Sequence, residues 1–164
     1  MLILGSMPGR ASLAAGQYYA HAHNLFWAIL AQITGADPSL AYAARARALK
    51  KCGVALWDVL ASCARVGSLD AAIDDATIGV NDFAAFYRIH PRITHVFFNG
   101  AKAEACYRAR VLPLLAAGLG PQFYQRLPST SPANASMARA YKVRVWKQAL
   151  LRALADGGNR TGAG

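Results

Sequence analysis

Strand-length runs and helix-period segments alternate along this chain, and that alternation narrows the fold more than any other feature. Residues 1–4 are apolar and end at Gly5. Residues 54–60 begin as a strand and pass into a loop, and residues 93–98 form a second buried run closed by Asn99 and Gly100. Residues 122–127 read as a last strand. Short apolar runs bounded by glycine and turn residues fit strands covered on both faces. Strands separated by helices build parallel sheets with helices packed on each side. The expected fold is α/β, a three-layer sandwich around a mostly parallel sheet. It occupies one domain over residues 1–155, followed by a glycine-rich, flexible tail over residues 156–164.

The helices between these strands carry their own signals. Asn24 is placed to cap a helix bearing Leu25, Phe26, Trp27, Ile29, Leu30 and Ile33, which Gly35 and Pro38 end. Ser39 is expected to cap the next helix, which runs to about Lys51. Asn81 is expected to cap another, with Phe83, Phe86 and Tyr87 as its apolar stripe. Residues 101–117 read as a helix kinked or divided at Pro113, which has no N–H to give. Residues 135–155 show the best amphipathic pattern, with Val143, Trp146, Leu150 and Leu154 on one face.

Ligands of parallel α/β sheets bind beyond the carboxyl ends of the strands. Two unusual loops, residues 5–24 and 128–134, each follow a strand and are expected to meet there. The first opens with Gly5, Ser6, Met7, Pro8 and Gly9 and continues through Tyr18, Tyr19, His21, His23 and Asn24. Glycines let backbone approach a ligand closely. Met7 and Tyr19 offer soft or flat apolar surface to a planar ring. His21 and His23 can donate a hydrogen bond or a proton. The Asn24 amide can hold a water or a base edge, or can serve only as a helix cap. Asp58 and Asn99, at strand ends, can read a base edge or cap a turn. The second loop is Pro128, Ser129, Thr130, Ser131, Pro132, Ala133 and Asn134. Its prolines make a stiff wedge and its hydroxyls suit phosphates, although a helix-capping loop has the same composition. Arg139 and Lys142 beyond it can add phosphate contacts or lie on a solvated face.

Charge selects the partner. Lys plus Arg outnumber Asp plus Glu by 18 to 8, a net charge of +10, which favours a polyanion. No apolar run approaches the roughly 20 residues of a membrane span, so nucleic acid is expected and membrane is not. Cys52, Cys63 and Cys106 are odd in number and contain no CxxC pair, which fits neither a disulfide framework nor a zinc ribbon. They are expected as small buried hydrophobes in a reducing cytoplasm. His21 and His23 have no third ligand in view, and no metal or other cofactor is expected. Ser6, His21 and Asp58 supply the residue types of a serine hydrolase, but the GxSxG elbow is missing.

Taken together, the Gly5-to-Gly9 turn, the Gln17-Tyr18-Tyr19-Ala20-His21 stretch, the Asn24-Leu25-Phe26-Trp27 helix start and the Leu127-to-Asn134 loop resemble the uracil-DNA glycosylase superfamily. They are most similar to its family 6 branch, the hypoxanthine-DNA (deoxyinosine) glycosylases, and also resemble the mismatch-specific uracil enzymes. The resemblance runs from the first strand to the final helix. It implies an α/β/α sandwich with a four-stranded parallel sheet and a flipped base held between the first and last loops. It places the catalytic amide at Asn24 and the base-stacking aromatic at Tyr19. Two positions depart from the wider superfamily: Met7 stands where several families carry Asn or Asp, and Leu127 stands where the classical uracil enzymes carry a histidine. Met7 cannot orient a water, and Leu127 cannot stabilise a leaving group.

The implied activity is monofunctional repair of DNA holding a damaged or mismatched base. Hypoxanthine, uracil or xanthine would be excised by hydrolysis of the N-glycosidic bond, by a monomer. A non-catalytic nucleic-acid-binding relative of the same fold is the alternative. In the enzyme reading Asn24 places the water. His21 or His23, with backbone N–H groups of the first turn, meets the leaving base. The turn residues, Tyr18, Tyr19, Asp58 and Asn99 hold the base, while residues 128–134 and Arg139 hold the DNA.

Overall fold

A computed structural model describes residues 1–158. Its centre is a four-stranded sheet of β1 (Leu2–Gly5), β2 (Ala55–Asp58), β5 (His95–Asn99) and β6 (Phe123–Leu127), ordered β2-β1-β5-β6. Every pairing is parallel. Side chains alternate across the two faces, as the period of two in a strand requires. Ile3 and Phe97 enter one core with Phe26, Leu30, Trp146 and Leu150. Leu2, Leu4, Val96 and Phe98 enter the other with Phe83, Tyr87 and Tyr107. The first core is covered by α2 (Phe26–Thr34), α3 (Tyr42–Lys51) and α6 (Arg139–Gly158), and the second by α4 (Phe83–Ile89) and α5 (Ala101–Arg110). The three-layer α/β arrangement expected from the alternation is the one found.

Several local expectations are revised. The loop after β1 contains a short helix, α1 (Arg10–Ala15), closed by Gly16 at φ 60°. Ser39 does not cap α3: its N–H and hydroxyl both turn back to Asp37, and the helix begins three residues later. Asp82, not Asn81, caps α4, accepting from the Ala85 N–H. Asn81 instead donates to the Asp58 carbonyl. As expected, Pro113 divides the helix of residues 101–117: α5 ends at Arg110 and a 3₁₀ turn follows at Leu112–Leu114. The connection through residue 80 holds a small antiparallel pair, β3 (Leu60–Ser62) with β4 (Gly79–Val80). The final helix starts at Arg139 rather than residue 135 and includes residues 156–158, assigned to the tail from composition; residues 159–164 lie outside the described residues. On α6, Trp146 and Leu150 are buried as expected, but Val143 and Leu154 are only half-buried. Cys106 is buried, whereas Cys52 and Cys63 are half-buried.

Trp146 ties the last helix to the site. Its ring is fully buried, edge-on to Phe26, and its Nε1 donates to the Pro128 carbonyl at 2.8 Å. Trp146→Phe keeps most of the apolar volume and deletes the donor, leaving that carbonyl unpaired. The expected loss in denaturant unfolding is about 1–3 kcal/mol with an unchanged m-value.

Candidate functional site

Parallel pairing brings the carboxyl ends of β1, β2, β5 and β6 to one edge, and a cleft of about 880 Å³ opens there. Gly5, Ser6, Met7, Pro8, Gly9, Tyr18, Tyr19, His21, Asn24, Asp58, Asn99 and Ser129 through Asn134 all line it. The two loops therefore meet as the sequence indicated.

Hydrogen bonds fix the meeting. Asn99 Nδ2 donates to the Thr130 hydroxyl and Asn99 Oδ1 accepts from the Thr130 N–H, each at 2.9 Å and buried. The Thr130 carbonyl then accepts from the Leu25 N–H at 3.1 Å, joining the last loop to the start of α2. Asn24 completes the junction: its Oδ1 accepts from the Phe26 N–H at 3.0 Å, capping the first turn. The cap position itself is Leu25, which has no side-chain acceptor; Asn24, one residue before it, caps the first N–H in its stead and lines the cleft as well.

Tyr18 and Tyr19 are held from beneath. Trp27 Nε1 donates to the Tyr18 carbonyl at 2.9 Å, and the Arg45 guanidinium lies 4.4 Å over the Trp27 ring while donating to Gln17. Tyr19 stacks on Phe26, with ring centroids 4.0 Å apart and planes 21° from parallel. Its backbone sits at φ 54°, a region that an aromatic residue occupies only when its surroundings force it. The Tyr19 hydroxyl is buried and has no hydrogen-bond partner among the described residues. The neighbouring Asn99 amide is committed to Thr130.

Asp58 forms the floor. It is opposite Gly5 in the β1–β2 register and 7% exposed. Its carboxyl folds over Gly5 so closely that a methyl group there would lie 2.5 Å from Asp58 Oδ1 and 3.2 Å from the Tyr19 hydroxyl. Burial pushes the Asp58 pKa up to about 7. The Tyr18 hydroxyl and Arg65 oppose the rise, and the Asp70 charge adds to it. Burial also raises both tyrosines, with Asp58 reinforcing the shift.

Three expected site residues stand apart from the cleft. His23 is exposed, and its backbone N–H donates to His21 Nδ1 at 3.2 Å. Pro128 is behind the wall, where its carbonyl meets Trp146. Arg139 belongs to a separate groove along α6 with Gln32, Val143, Arg144, Lys147 and Leu151. Lys142 is no phosphate ligand in this arrangement. It is 3% exposed, donates to the Asn134 carbonyl, and has its pKa lowered by burial. Conversely, Asp70 and Lys102 line the cleft unannounced. Asp70 accepts from the Ser6 hydroxyl at 2.6 Å across 64 residues of sequence, a contact no local pattern reveals. That bond commits the Ser6 hydroxyl to a carboxylate.

Three outcomes follow from this geometry. Gly5→Ala displaces the Asp58 carboxyl, and the steric conflict is expected to cost about 1–3 kcal/mol in thermal or denaturant unfolding. Asn99→Ala strands a buried N–H and hydroxyl and is expected to cost a similar amount, about 1–3 kcal/mol, with faster amide exchange in the last loop. The folded Asp58 binds a proton that the unfolded chain has already released. Its contribution to stability is therefore complete below about pH 4 and is lost as pH rises through about 7, by up to about 4 kcal/mol. Asp58→Asn is expected to gain stability over the wild type at about pH 8 and not at about pH 4, read from denaturation midpoints.

Comparison with known proteins places the fold and the family. A Hypoxanthine DNA glycosylase of Methanosarcina barkeri is 41% identical over 104 residues, 63% of this chain and 65% of that one, so the match spans just under two thirds of the relative. A protein of the same name from Methanosarcina acetivorans is 36% identical over 135 residues, 82% of this chain and 80% of that one. A solution NMR structure from Methanosarcina acetivorans, bearing the name uracil DNA glycosylase, superposes with a TM-score of 0.72 at 31% identity. That superposition covers 93% of this chain and 89% of the other. The family model of the Uracil DNA glycosylase superfamily matches residues 1–155, and the chain belongs to that superfamily.

Proposed function

We propose that this protein is a DNA glycosylase that accepts a deaminated base extruded from DNA and hydrolyses its N-glycosidic bond, leaving an abasic site. Hypoxanthine is the favoured base, a choice supported by the name shared by the two relatives. Uracil and xanthine are the comparators. The observation that carries the reading is the convergence of Asn24, Tyr19 and Asp58 in one strand-end cleft of a chain with net charge +10.

A base inside a duplex is out of reach, so the nucleotide must first leave the stack at a cost of a few kcal/mol. The planar ring then lies on Tyr19, which Phe26 supports from behind. Asn24 positions the water. A carbonyl oxygen has two lone pairs, and the Phe26 N–H occupies one. The other can hold a water, and the cap keeps the amide from turning away. An amide is a weak base, but an oxocarbenium-like sugar needs only a placed and polarised water. Residues Ser129 through Asn134 and Arg10, all at the cleft, grip the phosphates. The work is that of a monomer.

The reaction stops at the abasic site. A lyase step needs a neutral lysine amine. Lys102, at the cleft wall, donates to Asp75, and that bond raises its pKa and keeps it protonated. Borohydride is therefore expected to trap no covalent enzyme–DNA adduct, and strand breaks should appear only after alkali.

The second reading, a non-catalytic binder, is favoured by one observation: the Asn24 oxygen already has a partner. Duplexes with a single hypoxanthine, uracil or xanthine, incubated with enzyme and then alkali, separate the two. The enzyme reading expects breaks at hypoxanthine. It also expects Asn24→Ala to slow release by about 100-fold or more while duplex affinity changes little. That variant loses its cap, about 1 kcal/mol, which a thermal melt checks. Tight, salt-sensitive binding by the wild type without breaks at any base would establish the binder instead.

A further inference from the structure

We infer that the Asp58 carboxyl is the proton donor to the departing purine, delivering its proton to N7 of the flipped base as the bond to the sugar breaks. This rests on the base-release reading above. Purine departure leaves an electron pair on N9. A proton arriving at N7, the imidazole nitrogen not bonded to sugar, lets the base leave neutral rather than as an anion.

Geometry gathers the needed groups at one point. Asp58 lines the cleft at its floor, above Gly5, and shares that corner with the Tyr19 hydroxyl. The hydroxyl is buried beside Gly5 and the Asn99 amide and makes no hydrogen bond among the described residues, so a ligand's polar atom in the cleft would satisfy it. Asn81 anchors the Asp58 backbone from the far side, donating to its carbonyl at 2.9 Å. The charged or titratable groups acting on the carboxyl are Tyr18, Tyr19, Asp70 and Arg65. The Tyr18 hydroxyl hydrogen-bonds the carboxyl, Asp70 is engaged by Ser6, and Arg65 donates to the Pro8 carbonyl. Burial keeps Asp58 protonated to about pH 7, so the acid is present at neutral pH. Leu127 offers no donor, and His21 lies at the exposed rim.

The step balances. The C1′–N9 pair goes to the base, the Asp58 proton goes to N7, the water oxygen bonds to C1′, and the water's proton passes to solvent. Solvent then reprotonates the carboxylate.

The test is single-turnover release between about pH 5 and about pH 9, from duplexes carrying hypoxanthine or 7-deazahypoxanthine, whose ring has carbon at position 7. For the wild type on hypoxanthine, the rate is expected to fall about tenfold per pH unit above about 7. Asp58→Asn is expected to be slower by about 100-fold or more at low pH and to lose that fall. On the deaza base the wild type is expected to be slow and pH-independent in this range, and Asp58→Asn to cost nothing further. His21→Gln keeps the fall if Asp58 is the acid. The inference is overturned if the deaza base is released as fast as hypoxanthine, if Asp58→Asn keeps the fall, or if the fall vanishes in His21→Gln. The deaza comparison needs no variant to fold. Failure of the wild type to release hypoxanthine at any pH would instead sink the base-release reading itself, and this inference with it.

Discussion

The closeness of Asp58 to Gly5 is the constraint around which the site is arranged. Parallel register sets the two residues side by side, and only a residue without a Cβ leaves room for the carboxyl to fold inward. Once there, the carboxyl is out of water, and its proton affinity rises accordingly. The fold carries a group that destabilises it at alkaline pH, a cost that proteins tolerate where a site requires it.

The second constraint is the Asn99–Thr130 pair. Asn99 ends β5, Thr130 sits in the loop after β6, and Leu25 immediately precedes α2; two hydrogen-bonded steps connect all three. Trp146 adds a third tie, from α6 to Pro128. The cleft wall is therefore supported by both the sheet and the helical layer behind it. Buried polar pairs of this kind fix a loop's position because the alternative is unpaired groups in a dry place. The strained Tyr19 backbone persists for the same reason: Phe26 below and the Tyr18 anchors leave its ring no other seat.

Asn24 shows how a structural and a chemical role can share one side chain. As a cap it loses rotational freedom, and an immobilised amide is better suited to hold a water than a free one. The bland reading of that residue and the functional one are compatible because its oxygen has capacity for two partners.

The sequence by itself determined the layer architecture, the strand locations and the convergence of the two loops. Those depend on hydrophobic period, on glycine and proline punctuation, and on the rule that parallel sheets bind at strand ends. It was sufficient to place Tyr19, Asn24 and Asp58 at the strand-end cleft, because each lies in a loop or at a strand end that a parallel sheet gathers on one edge. It misassigned the caps at Ser39 and Asn81: Asp37 draws the Ser39 N–H and hydroxyl into a turn ahead of α3, and Asp82 accepts the Ala85 N–H while the Asn81 amide is spent on the Asp58 carbonyl. Tertiary structure alone decided that Lys142 is buried, that His23 and Arg139 stand off the cleft, and that Asp70 enters it through Ser6. It also decided that Asp58 is desolvated. Those facts depend on which distant surfaces cover a residue, and burial and long-range hydrogen bonds leave no mark on a local sequence pattern.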